Sequence, residues 1–125
     1  MKQCFLTQKG PKAIGPYSTA VKHGGVCYMS GMLGVNPADG TLAEDVSAQA
    51  KQVFDNISTV LEEMGLSMAD ILKTTVFLTD LNAFGAVNAI YADYFGPDYP
   101  ARSCFQGSRL PMGAQVEVEA IVACE

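Results

Sequence analysis

Between Val46 and Met64 the apolar residues Val46, Ala50, Val53, Ile57, Val60, Leu61 and Met64 recur at three- and four-residue steps, the spacing of one helical stripe facing a core. Thr41 followed by Glu44 predicts a capping box that opens this helix, and Gly65 predicts its end. A second helix is expected after Asp80 or Asn82, with Phe84, Val87, Ile90, Tyr91 and Tyr94 on its apolar face and Gly96-Pro97 as its stop. Strands are predicted at Ser18–His23 and Val26–Met32, joined as a hairpin by Gly24-Gly25, then at Ile71–Thr79, Ala101–Gln106 and Gln115–Cys124, with an extra one at Cys4–Thr7. The interleaved order β-β-α-β-α-β-β points to an α+β fold in which both helices cover one face of a mixed sheet. At 125 residues the chain is expected to form a single domain, residues 1–125. Its uncovered sheet face would carry Val26, Val76 and Ile121, which do not suit water, so a second copy of the chain is the expected cover.

Charge narrows the choice of partner. Thirteen acidic against eight basic residues give a net charge of −5, which repels polyanions and leaves no cationic track for a phosphate backbone. Nucleic acid is therefore not an expected partner. A single histidine, His23, argues against a His-built metal centre and against a His-based triad. The four cysteines contain no Cys-x-x-Cys pair, and Cys4, Cys27 and Cys124 read as small buried hydrophobes of a reduced, cytoplasmic protein. Met1 to Gly10 lacks the continuous apolar stretch of a secretory signal, and no long apolar run predicts a membrane span.

Two residues stand out as candidate chemistry. In Ala101–Gln106, a period of two places Arg102, Cys104 and Gln106 on one side and Ala101, Ser103 and Phe105 on the other. A guanidinium entering a strand just after Pro100 is a fixed fork suited to a small carboxylate, although a structural ion pair with one of the acids uses the same residue. On the last strand Glu119 is the innermost carboxylate, poised either to hold a water or to pair across strands at the rim. Asn88 lies mid-helix, where an amide needs a specific partner. Tyr17 begins a strand and either walls a pocket or caps a core edge, and Ser30-Gly31 marks a bulge or a close backbone approach. The glycines lack the strand–loop–helix context of a nucleotide cradle.

Ile14-Gly-Pro-Tyr-Ser18, Ser30-Gly31, Val35-Asn-Pro37, Ala50 to Asn56, Val87-Asn88, Pro100-Ala-Arg-Ser-Cys104, Arg109-Leu-Pro111 and Val116-Glu-Val-Glu-Ala120 together resemble the Rid (RidA/YjgF) family over nearly the whole chain. The resemblance implies a chorismate-mutase-like homotrimer, its sheets forming a central barrel and its clefts lying between subunits. It implies a deaminase that needs neither cofactor nor metal and hydrolyses reactive 2-enamine or 2-imino acids (2-aminoacrylate, 2-iminobutyrate) to 2-keto acids and ammonia. By the same resemblance Arg102 would grip the substrate carboxylate and Glu119 would position the water. Backbone groups near Gly31 and Cys104 would orient the substrate, and Tyr17, Ser30 and Asn88 would line or brace the cleft. Cys104 is not expected to act as a nucleophile, having no base beside it. The chain departs from the family at Gly107-Ser108, where a Val-Ala pair is more usual, and at Met112, where lysine is common, which bears on substrate preference and subunit packing. Two other readings of the same fold are an endoribonuclease of the translation-inhibitor type and a non-catalytic keto-acid-binding module.

Overall fold

Gly24 (φ +59°) and Gly25 (φ +81°) supply the two left-handed residues that a tight hairpin needs, and they join β2 (Ala20–His23) to β3 (Val26–Leu33). The computed structural model describes residues 1–125. A short β1 (Gln3–Phe5) adds to β2, and after a loop the chain enters α1 (Val46–Glu63). Asp45, not Thr41, caps this helix by accepting the Ala48 N–H at 2.8 Å, while Thr41 bonds Asp39 within the preceding turn. The helix starts later than the Thr41–Glu44 pattern suggests because an Asp cap directly adjoins its first turn. At the other end Leu66 N–H reaches Leu61 O and Gly65 N–H reaches Glu62 O, a Schellman closure that Gly65 permits with φ +74°.

β4 (Ile71–Leu78) leads through a 3-10 turn capped by Asp80 into α2 (Phe84–Phe95), which ends at Gly96. The edge strand β5 (Ala101–Gln106) and then β6 (Val116–Ala123) complete a sheet ordered β1-β2-β3-β6-β4-β5, parallel only between β4 and β5. The fold is α+β, one mixed six-stranded sheet with two helices, as the pattern predicts.

Alternation sorts the sheet into two faces. Cys27, Met29, Val76, Leu78, Val116, Val118, Ala120 and Val122 meet α1 residues Ala50, Val53, Phe54, Ile57, Val60 and Leu61 and α2 residues Val87, Ile90, Tyr91 and Phe95 in one buried cluster. Val76 therefore belongs to the core and not to the open face, because its register partners Val118 and Cys104 both point beneath the helices. The open face carries Val26, Tyr28, Phe77, Phe105 and Ile121 beside Glu117 and Glu119, with Tyr28 and Phe105 about half exposed. Cys27 and Cys124 are buried as expected, but Cys4 is exposed, since its edge strand pairs it with Val21 on the open side. No helix is long and apolar enough to cross a membrane.

Candidate active site

Arg102 pairs in register with Thr74 of β4, which places its side chain on the helix-covered face at the sheet edge. Nη1 donates to Asn88 Oδ1 at 2.7 Å, and the guanidinium carbon lies 4.7 Å from the Tyr91 ring centroid and 5.4 Å from that of Phe84. No carboxylate bonds it. The mid-helix amide of Asn88 thus has the specific partner its position requires, and that partner's charge is not neutralised. Asn88, Tyr91, Ala92, Tyr99, Pro100 and Arg102 line a cleft of about 430 Å³.

A larger cavity of about 880 Å³ opens elsewhere, with Tyr17, Ser30, Gly31, Met112, Glu117 and Glu119 among its walls. Tyr17 sits in the loop before β2 and not at a strand start, because Gly15 (φ +126°) and Pro16 keep the chain out of the ladder until Ala20. Ser30 holds that loop: its Oγ donates to Ser18 O at 2.7 Å and its N–H to Thr19 O at 2.9 Å. The β3–β6 register shifts between Met29 and Met32, so Ser30-Gly31 is a bulge. It is also a close approach, since a Cβ on Gly31 would collide with the Glu117 carboxylate.

The more buried carboxylate is Glu117, not Glu119. Glu117 is flanked in register by Leu33 and Phe77, whereas Glu119 stands opposite Thr75 and beside the bulge and is exposed. Loss of solvent, reinforced by the neighbouring charge of Glu119, pushes the Glu117 carboxyl above its ordinary value. The sequence hides this distinction because both glutamates share one face of β6, and only the pairing partners separate them. Cys104, two residues beyond Arg102 on the same face, lines neither cavity and packs against the core. Burial raises its thiol above the usual value despite the nearby Arg102, so it rests as a thiol.

The candidates therefore form two half-sites. Arg102 and Asn88 lie on the helix-covered face, while Tyr17, Ser30, Gly31, Glu117 and Glu119 line the second cavity, and no residue lines both. Phe84, Tyr91 and Tyr99 are the site residues that sequence periodicity missed, since the apolar stripe of α2 absorbs the first two into an apparent core. No group of three or more His, Cys, Asp or Glu side chains is placed to hold a metal ion.

Residues 7–124 match the family model described as "Endoribonuclease L-PSP". A 2-iminobutanoate/2-iminopropanoate deaminase of Salmonella typhimurium is 45% identical over 124 residues, covering 97% of each chain. The crystal structure of RidA from the Antarctic bacterium Psychrobacter is similar with a TM-score of 0.94 at 43% identity, over 97% of this chain and 98% of that one. The structure of Escherichia coli TdcF with bound serine gives a TM-score of 0.93 at 40% identity, over 98% of this chain and 99% of that one. With a full-length match in sequence and in fold, the chain belongs to the Rid (YjgF, endoribonuclease L-PSP) family.

Proposed function

We propose that the protein hydrolyses small 2-imino acids to 2-keto acids and ammonia in clefts formed where copies of the chain meet. The observation that carries this reading is Arg102, held by a neutral amide and two aromatic rings with its charge left free beside a cleft. Each charge-assisted hydrogen bond from such a group to a carboxylate is worth about 1.5–3 kcal/mol, enough to orient a metabolite. The deaminase name of the Salmonella relative and the bound serine of TdcF, a ligand with a free carboxylate, point the same way.

The chemistry asks little more of the protein. A protonated imine is already electrophilic at C2, so a water placed beside it completes the reaction. Glu117, its carboxyl raised by burial and the neighbouring charge of Glu119, takes a proton from the water as its oxygen bonds C2 and the C=N π pair moves to nitrogen; it returns that proton to the nitrogen and takes the hydroxyl proton as the C–N bond breaks, C2=O forms and ammonia leaves. Gly31, Ser30 and Tyr17 shape the wall facing the substrate, and Asn88 steadies the anchor. Because the two half-sites lie on opposite faces of one sheet, Arg102 of one copy works with Glu117 of another. A homotrimer closed through the open sheet faces supplies that geometry and covers Val26, Tyr28, Phe105 and Ile121. We place this activity in the cytoplasm, a compartment in which free thiols such as those of Cys4 and Cys104 persist.

Ribonuclease action, which the family's description names, fits less well. Glu117, Glu119 and Asp39 line the larger cavity against the single cation Lys12, an arrangement that repels phosphate. The test generates 2-aminoacrylate or 2-iminobutyrate in situ and follows ammonia or keto-acid release by wild type and Arg102→Ala. Loss of at least about 100-fold in the variant is expected. Wild-type turnover by Arg102→Ala, or no turnover by either protein, overturns the proposal.

A further inference from the structure

We propose that Tyr91 and Phe84 are positioning residues for Arg102, an uncharged aromatic vice that aims its free N–H groups at a carboxylate without discharging it. The inference rests on the reading of Arg102 as the substrate anchor. A guanidinium carries five N–H donors in one plane, and here only one is spent, on Asn88. The Tyr91 and Phe84 rings, with the guanidinium carbon 4.7 and 5.4 Å from their centroids, contact the cation without using any of the others. An acid in either ring's place would hold Arg102 as firmly but cancel the charge that attracts the ligand.

Tyr91 is itself anchored. Its hydroxyl shares a 2.7 Å hydrogen bond with Thr74 Oγ1, and its ring meets Phe54 edge-on at 5.5 Å and Phe95 at 4.4 Å. Thr74 is also the register partner of Arg102 on β4. The strand pairing of residues 74 and 102, the hydroxyl contact from 74 to 91 and the ring–cation contact from 91 to 102 therefore close a triangle, with the orientation of the guanidinium at its apex. Phe84 approaches from the first residue of α2 and is 40% exposed, so its contact with Arg102 is not a by-product of core filling.

Titration calorimetry with pyruvate as the probe tests this on wild type, Tyr91→Phe, Tyr91→Leu, Phe84→Tyr, Phe84→Leu and Arg102→Ala, with thermal melting as the check on folding. The ring-retaining variants, in Tyr91→Phe because Phe54 and Phe95 still hold the ring once the hydroxyl bond to Thr74 is lost, are expected to bind within about twofold of wild type and the leucine variants about tenfold more weakly. Should Tyr91→Leu fail to fold, the half-exposed Phe84 pair decides alone. Leucine variants that bind as wild type does while Arg102→Ala loses pyruvate overturn the aromatic vice and leave the anchor standing. Wild-type binding by Arg102→Ala removes the anchor, and this inference with it.

Discussion

Glu117 lies over Gly31, its carboxyl group filling the space that a side chain on the β3 bulge would need. The obstacle a Cβ would meet is the far end of a flexible side chain and not backbone, so Gly31→Ala is expected to swing the carboxylate aside while the strand holds. Misplacing a reacting group by about 1 Å costs about 100-fold in rate, which steady-state assays of imine hydrolysis would register, against a melting temperature changed by no more than about 3 °C. Unchanged turnover would show that the seat over Gly31 is not where Glu117 acts.

Glu117→Gln has a pH signature. Burial and the charge of Glu119 raise the native carboxyl above its ordinary 4.5, so the folded chain keeps a proton that the unfolded chain has released. The favourable contribution is complete below the unfolded value and disappears as pH rises through the folded one. The amide variant should therefore melt higher than wild type at neutral pH, with the gap closing near pH 3, while turnover falls about 100-fold or more. A gap that persists in acid would assign the difference to packing.

Glu63 behaves in the opposite sense. Its partial burial raises the carboxyl, but hydrogen bonds from Thr7 Oγ1, Gln8 N–H and Lys9 N–H outweigh that and hold it below the usual range. The stability it supplies is present above the unfolded value and lost as pH falls through the lowered folded value. Glu63→Ala is expected to lower the neutral-pH melting temperature by about 5 °C, a deficit that shrinks in acid. Because Thr7 also bonds Thr19, a wall residue of the larger cavity, the variant should raise KM more than it lowers kcat.

Asn56 is fully buried in α1 and donates to Leu33 O and Val35 O at 3.1 and 2.8 Å where β3 ends. Asn56→Leu removes both of these hydrogen bonds at a buried site, at a cost of about 2 kcal/mol in chemical denaturation. A smaller loss would mean that water replaces the amide.

Much of this architecture is legible in the sequence. Hydrophobic stripes and turn residues give both helices, the Gly24-Gly25 hairpin and the succession of elements along the chain, because local periodicity and turn chemistry act within a few residues, whereas the order of strands across the sheet depends on long-range pairing. The motif residues Arg102, Asn88, Ser30 and Gly31 are likewise visible as types out of place in their elements. What the sequence does not reveal depends on pairing. Glu117 and Glu119 are indistinguishable until β3 and β4 lie beside them, and Tyr91 looks like core until β5 brings Arg102 against its ring. Val76 is assigned to the wrong face for the same reason, and Thr41 loses the cap to Asp45 because its hydroxyl donates to Asp39 in the preceding turn while Asp45 adjoins the first residue of the helix.

A sheet that holds its cation on one side and its paired acids on the other has separable halves. Two inactive proteins, Arg102→Ala and Glu117→Gln, unfolded together in equal amounts and refolded, should complement one another, since about a quarter of all the junctions formed would join an intact guanidinium to an intact carboxylate. Regained turnover in the mixture, absent from either protein alone, would identify the working unit as the seam between chains.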